Sequence, residues 1–125
     1  MFNDTITIYN LVEEKMYRKV VNNVFVNNKT IISQEGKGEK FTSAHDVIFS
    51  DIAIRDYLEY GDYKKLGNKE NNFTLKVNDV VVIGEFKEVE NLSEIQKSDK
   101  DYFLIKTISK NLYGAADLQN IEITD

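Results

Sequence analysis

The chain has 125 residues, a hydrophobic fraction of 42% and a net charge of −5, which fit one domain spanning residues 1–125. It contains no cysteine, which excludes disulfides, thiolate metal sites and a cysteine nucleophile. Its basic residues are nearly all lysines, and an acidic, arginine-poor chain is a poor candidate for a nucleic-acid-binding protein. No apolar run approaches the ~20 residues that cross a bilayer, so we expect no membrane partner.

The N-terminal third reads as β-structure. Residues 5–9 alternate between apolar and β-forming polar side chains, which predicts a strand. Residues 15–28 hold two β-rich pieces around Asn22 and Asn23, which predicts either a hairpin with its turn at the asparagines or a single bulged strand. Residues 30–32 favour a further short strand.

Residues 33–46 are predicted to form a long loop, because they contain two glycines, scattered charges and one large apolar residue, Phe41. Long loops in compact domains are commonly functional. In residues 46–54 the spacing of the apolar residues predicts that four of them point inward: Val47, Phe49, Ile52 and Ile54.

The middle of the chain combines an ambiguous segment with a strong strand signal. Residues 55–66 contain Gly61, which breaks a helix, and the tyrosines Tyr57, Tyr60 and Tyr63, which fit packing at a domain edge or a subunit interface. Residues 73–86 predict a strand, a turn at Asn78-Asp79, and a second, buried strand.

The C-terminal third predicts one helical turn and two strands. Ser93 is a reasonable N-cap, with one short helical turn anchored by Leu92 and Ile95. Residues 101–109 read as a strand, the chain turns at Gly114, and residues 118–124 read as a last strand. The predicted fold class is mainly β: a small β-barrel or sandwich with one or two short helices and a long loop.

Catalytic chemistry is sparse in the sequence. His45 is the only histidine, and Ser43 and Asp46 are too close to it along the chain to be expected in a triad geometry. We interpret His45 as a surface-loop residue and the chain as not an enzyme, without catalytic residues, metal or cofactor. The acidic stretch reads as a solvated face; its members are Glu85, Glu88, Glu90, Glu94, Asp99 and Asp101. A small hydrolase that uses the glutamates is the enzymatic alternative.

Three stretches, in their order, resemble the small neck proteins of tailed phages and prophages. They are "MFNDTITIYN" followed by "YRKVVNNVFV", then "YKKLGNKENNFTLKVNDVVVIGEF", and finally "DYFLIKTISKNLYGAADLQNIEI". The second is similar to an aromatic-Lys-Lys-Leu element that leads through a turn into a valine-isoleucine strand, and the third to a closing pair of strands joined at a glycine. Together they cover most of the chain.

The resemblance implies a head-closure, or stopper, subunit: a structural connector that forms a ring of six or twelve copies between the portal and the tail. Its partners would be copies of itself, the portal or adaptor, and tail-tube or tail-completion proteins, with DNA only in passage. It would reside in a virion or phage-tail-like particle assembled in the bacterial cytoplasm. The predicted loop would then supply the contacts between subunits or rings, through Glu35, Gly36, Lys37, Gly38, Phe41 and His45, and the three tyrosines would be candidate interface aromatics.

Two other functions stay open on the sequence. One is a tail-terminator or collar protein, which caps the tail tube. The other belongs to a different class, a small inhibitor or regulatory binding protein whose acidic surface imitates the charge of DNA.

Overall fold

A computed structural model describes residues 2–35, 38–115 and 118–125. The described part of the chain confirms a mainly β fold with two short helices, α1 (Tyr60–Tyr63) and α2 (Leu92–Gln96), and a 3₁₀ turn at Ala53–Asp56. Its strands are β1 (Asp4–Val12), β2 (Lys15–Glu35), β3 (Gly38–Phe49), β4 (Val80–Ile83), β5 (Tyr102–Leu104), β6 (Thr107–Asn111) and β7 (Asn120–Thr124). No helix in these described ranges has the length and apolar character needed to cross a membrane.

All seven strands belong to one antiparallel sheet, in the order β5-β4-β1-β2-β3-β7-β6. β5 and β6 lie at opposite margins of this sheet, although only Ile105 and Lys106 separate them along the chain. The Ile105 amide donates to the Asp79 carbonyl at 2.9 Å, beside β4, and the Lys106 amide donates to Thr124 of β7 at 2.7 Å. The two margins therefore meet along this chain segment, the barrel seam, and the sheet curls into a barrel-like shape.

The prediction of a single strand over residues 101–109 is wrong in this respect. The two residues at the seam send β5 to one margin and β6 to the other. The chain then turns at Gly114, as predicted, where φ is +82°, a conformation that glycine adopts without steric cost.

The main core lies on the concave side of the sheet and is built from alternate residues of the strands. Val47 and Phe49 are fully buried, which confirms their predicted inward direction. Ile54 packs partly buried against this core, whereas Ile52 is 49% exposed, because the chain leaves the sheet after β3 and enters the 3₁₀ turn. The other strand residues of the core are Ile6, Ile8, Val21, Val24, Val81, Phe103, Ile121 and Ile123.

β4 is buried on both faces, as its uninterrupted apolar sequence predicts. Val81 packs in the main core, while Val80 and Val82 face a second cluster that includes Tyr9 and Ile95. Ile95 belongs to α2, so the helix covers the outer face of the sheet at this point. Burial of both faces explains why the strand has no polar alternation.

The N-cap of α2 is Asn91, two residues before the predicted cap at Ser93, and the helix begins at Leu92. The Asn91 side chain accepts a hydrogen bond from the Glu94 amide, and the Glu94 carboxylate accepts one from the Asn91 amide. This reciprocal pair satisfies amides at the helix start that would otherwise lack partners. Asparagine is as good an N-cap as serine, so composition alone did not separate the two positions.

Residues 15–28 form one strand, so the hairpin interpretation is wrong and the bulged-strand alternative is confirmed. The pairing of β1 with β2 shifts between Asp4 and Ile6, opposite the two asparagines, and Asn23 has a φ of +61°. The actual β1–β2 turn lies at Glu13 and Glu14, both with positive φ. A two-residue turn of this kind favours asparagine and glycine, so two glutamates did not signal a turn there.

Residues 73–79 do not form the predicted strand. They run as an irregular segment that leads into β4, with Phe73 and Leu75 buried in the main core. The segment is fixed by Asn10 of β1, whose amide nitrogen donates to the Thr74 carbonyl at 2.6 Å and to the Asp79 carboxylate at 2.9 Å. The Asn10 amide oxygen accepts from the Thr74 amide at 3.1 Å. Side-chain hydrogen bonds thus replace a strand ladder here, while the predicted turn does occur, with Asn78 at φ +77°.

Candidate assembly site

β2 and β3 continue as a hairpin beyond the strands that flank them. β1 leaves β2 at Val24, and β7 pairs with β3 only over Asp46–Phe49. From there the two strands pair only with each other, as far as Glu35 opposite Gly38. We call the described residues 27–35 and 38–45 the arm. The prediction of a long loop over residues 33–46 is wrong for its described part, which lies in these strands.

The physical reason for this difference is the register of the hairpin. Every described residue of the arm has a partner directly opposite, so the backbone groups that face the partner strand are satisfied despite a composition rich in polar residues. At ~3.3 Å per residue, the arm reaches roughly 25–30 Å from the end of the barrel.

The arm is structurally incomplete by itself. A two-stranded ribbon has no second layer on which to bury a face, and such hairpins are marginally stable in water. Both of its outer edges carry backbone donors and acceptors that no third strand satisfies within the described chain. A further strand or a neighbouring surface would complete it.

The candidate contact residues fall at different places on this hairpin. Glu35 is the last residue of β2 and pairs with Gly38, the first of β3, and Phe41 pairs with Ile32 farther from the tip. Gly36 and Lys37 lie outside the described residues. His45 lies at the opposite end, where the arm meets the barrel.

His45 is a buried strand residue, so its interpretation as a surface-loop histidine is wrong. It is 8% exposed, and its ring stacks on Phe103 with centroids 4.9 Å apart and planes at 13°. Its Nδ1 lies 2.8 Å from an Asp125 carboxylate oxygen, and its Nε2 lies 2.9 Å from Asp101. The His45 amide also donates to Asp125, at 2.9 Å.

The two aspartates determine the chemistry of this histidine. Burial lowers the pKa of His45, but the hydrogen bonds and negative charges of Asp125 and Asp101 outweigh burial, so the net pKa is raised. A general base needs a ring nitrogen that is free to accept a proton from a nucleophile. Both nitrogens of His45 are engaged with carboxylates, so the arrangement suits a structural cation rather than the base of a catalytic triad.

Sequence reasoning missed Asp101 and Asp125 as partners of His45. They lie 56 and 80 residues away along the chain. The pairing of β7 with β3 places Asp125 beside His45, and the barrel seam brings Asp101, which precedes β5, to the same place. A local sequence pattern has no means of signalling such a cluster.

The three candidate interface aromatics have different environments. Tyr57 and Tyr60 are partly exposed, and the Lys76 ammonium lies 4.1 Å from the centre of the Tyr60 ring. Tyr63 is buried and meets Tyr17 edge-on, and burial raises its pKa to about 12. Tyr63 therefore serves packing within the fold, one of the two uses that the sequence left open.

An open cleft of about 1040 Å³ lies where the β1–β2 turn approaches the segment before α2. Its charges are mixed, because glutamates alternate with Lys15, Arg18 and Lys69, and the two lysines lie over the ring of Tyr17. Glu88 and Glu90 on its rim are exposed, in line with a solvated face, and a carboxylate oxygen of Glu94 serves the cap of α2. Within the described residues, no group of three or more acidic or histidine side chains could hold a metal ion.

Fold and site together define a single-sheet, barrel-like protein with a two-stranded arm and with a histidine held between two aspartates at the arm's base. The chain belongs to the DUF6751 family, a family of unknown function, whose family model matches residues 1–124. Neither the search of curated proteins nor the search of solved structures found a match.

Proposed function

We propose that the protein is a structural connector subunit of a tailed phage or prophage particle, which forms a ring between head and tail. The observation that carries the proposal is the arm, a two-stranded ribbon with two open edges outside the barrel. Strand edges of this kind join subunits by adding to a neighbouring sheet. The resemblance of the sequence to small neck proteins supports the same function.

A ring follows from the asymmetry of the subunit. The arm emerges at one end of the barrel, so an arm that docks on the next subunit makes a head-to-tail contact between two different surfaces. Repetition of such a contact closes into a ring when the rotation per subunit allows it. Each contact is small, so a portal or tail tube acts as the template for assembly.

The net charge of −5 fits a ring through which DNA passes without being held. Tight nucleic-acid binding depends on lysine and arginine contacts that displace counterions from the phosphates. Free glutamates on the surface, such as Glu88 and Glu90, repel phosphates instead.

Deletion of the gene in the strain that produces the particle tests this function. For a head-closure protein, we expect assembled heads and tails that are not joined, with DNA lost from the heads. For a tail-terminator or collar protein, we expect tails of irregular length. A deletion strain that still yields normal infectious particles would contradict both and leave the inhibitor hypothesis.

A shortened arm tests the observation behind the proposal. Lys29 and Ala44 face each other directly, so an Asn-Gly turn can replace residues 30–43 without changing the register. We expect this variant to keep the thermal midpoint of the wild type but to fail in complementing the deletion. The control, Glu88→Ala, should complement fully. Complementation by the shortened variant would show that the arm is not the assembly contact.

A further inference from the structure

His45 occupies the junction between the arm and the barrel. It is the first β3 residue beyond those paired with β7, and its carbonyl accepts one more backbone hydrogen bond, from Asp125, at 3.3 Å. Any change at His45 therefore acts on the point where the arm loses the support of the sheet.

The groups around His45 come from every element that packs on it. The residue after β7 supplies Asp125, the residue before β5 supplies Asp101, and β5 itself supplies the neutral ring of Phe103. The residue opposite on β2 is Asn28, which does not ionise, and Asp46 follows along β3 itself. Among the residues whose side chains the structure describes, the ionisable groups in contact with the ring are the two aspartates.

Only the protonated ring satisfies both aspartates. An imidazolium has two N–H donors, one for each carboxylate, whereas a neutral imidazole has one donor and one acceptor. Loss of the proton therefore leaves one ring nitrogen facing a carboxylate with no hydrogen between them, and it also removes the positive charge between two negative ones.

We propose that protonated His45 is a latch, which fastens the two sides of the barrel seam at the base of the arm and opens when the proton is lost. Asp101 precedes β5, at one margin of the sheet, and Asp125 follows β7, next to the other margin, so the ring ties the two sides of the seam together. Opening of the latch loosens the seam and the base of the arm without unfolding the main core. It is a property of the single chain and holds whether or not the protein is a connector.

The direction of the pH effect follows from the two states of His45. Its pKa is raised in the folded protein, so the stabilisation is complete below pH ~6.5, the ordinary value for histidine, and is lost as the pH rises through the folded pKa. The latch is therefore closed in mildly acidic solution and opens toward alkaline pH.

NMR can follow the latch directly, because one histidine among 125 residues gives a single set of imidazole signals. We expect the His45 titration midpoint of the full-length protein to lie above ~6.5. Asp101→Asn should lower it by about half a unit or more, whereas Asp99→Asn, the matched control at an exposed neighbouring position, should not move it. Asp101 itself is half-exposed, so this variant is expected to fold. A midpoint at or below 6.5, or equal midpoints in the two variants, would overturn the proposal.

Amide exchange tests whether the seam responds. After correction for intrinsic exchange rates, protection of the Lys106 and Asp125 amides should fall roughly three- to tenfold across the His45 midpoint, the effect of one net hydrogen bond. Protection of Val81 in the main core should stay constant. In His45→Gln the pH dependence at the seam should disappear. Constant seam protection in the wild type, or an unchanged pH dependence in His45→Gln, would refute a latch.

Discussion

The side chain of Asn10 links β1 to the irregular segment before β4, and its removal tests how that segment is held. Asn10→Ala deletes two donated hydrogen bonds and one accepted hydrogen bond, all in a fully buried environment. The amide and carbonyl of Thr74 and one oxygen of Asp79 lose these partners. Each buried polar group left unpaired costs about 1–3 kcal/mol. Because the vacated space admits water and Asp79 keeps the Leu11 amide as a donor, we expect a loss of about 3–5 kcal/mol.

Such a loss is a large part of the ~5–15 kcal/mol that holds a domain of this size together. Urea unfolding followed by far-UV circular dichroism measures the loss, since the chain has no tryptophan for fluorescence. The matched control is Asn111→Ala, the same substitution at an exposed position of β6, which should change the free energy of unfolding by less than ~0.5 kcal/mol. If Asn10→Ala cost less than ~1 kcal/mol, these hydrogen bonds would not be what holds residues 73–79.

Three further predictions concern the core, the buried carboxyl and DNA. Val82→Asp should unfold the protein or lower its free energy of unfolding by more than ~3 kcal/mol, because it buries an unpaired carboxylate between β4 and α2. The control Glu88→Ala, at an exposed position, should leave the stability unchanged. Equal thermal midpoints for wild type and Val82→Asp would contradict this. Burial raises the pKa of Asp79, so its pH-linked stabilisation is present below pH ~4 and is lost as the pH rises through the raised pKa. Asp79→Asn should therefore flatten the fall in unfolding free energy as the pH rises above ~4, and identical slopes would argue against it. Finally, the protein should not shift duplex DNA in a gel at physiological salt, and sub-micromolar binding there would be incompatible with its charge.

The parts of the fold that were predictable are those in which local pattern and burial agree. β4 is an uninterrupted apolar run because both of its faces are covered, and β7 alternates because only one of its faces is buried. Val47 and Phe49 point inward for the same reason. In each case the side-chain period reflects the local surroundings of the strand.

The parts that were not predictable depend on distant residues. Phe73 and Leu75 alternate like a strand, yet Asn10, more than sixty residues away, holds this segment in an irregular path. The arm has a loop-like composition without an apolar period, so only the pairing of its two strands identifies it as β-structure. The environment of His45 likewise exists only after β7 has paired with β3, which places Asp125, and the sheet has curled, which brings Asp101.

The central claim is that the protein is a fixed part of a particle, joined to its neighbours through the arm. Quantitative mass spectrometry of purified particles, made in a deletion strain complemented by either the wild type or the arm-shortened variant, tests it most directly. The account predicts one symmetric set of copies per particle for the wild type, as a closed ring requires, and no copies for the shortened variant. Absence of the wild-type protein from the particles, or equal copy numbers for both, would contradict it.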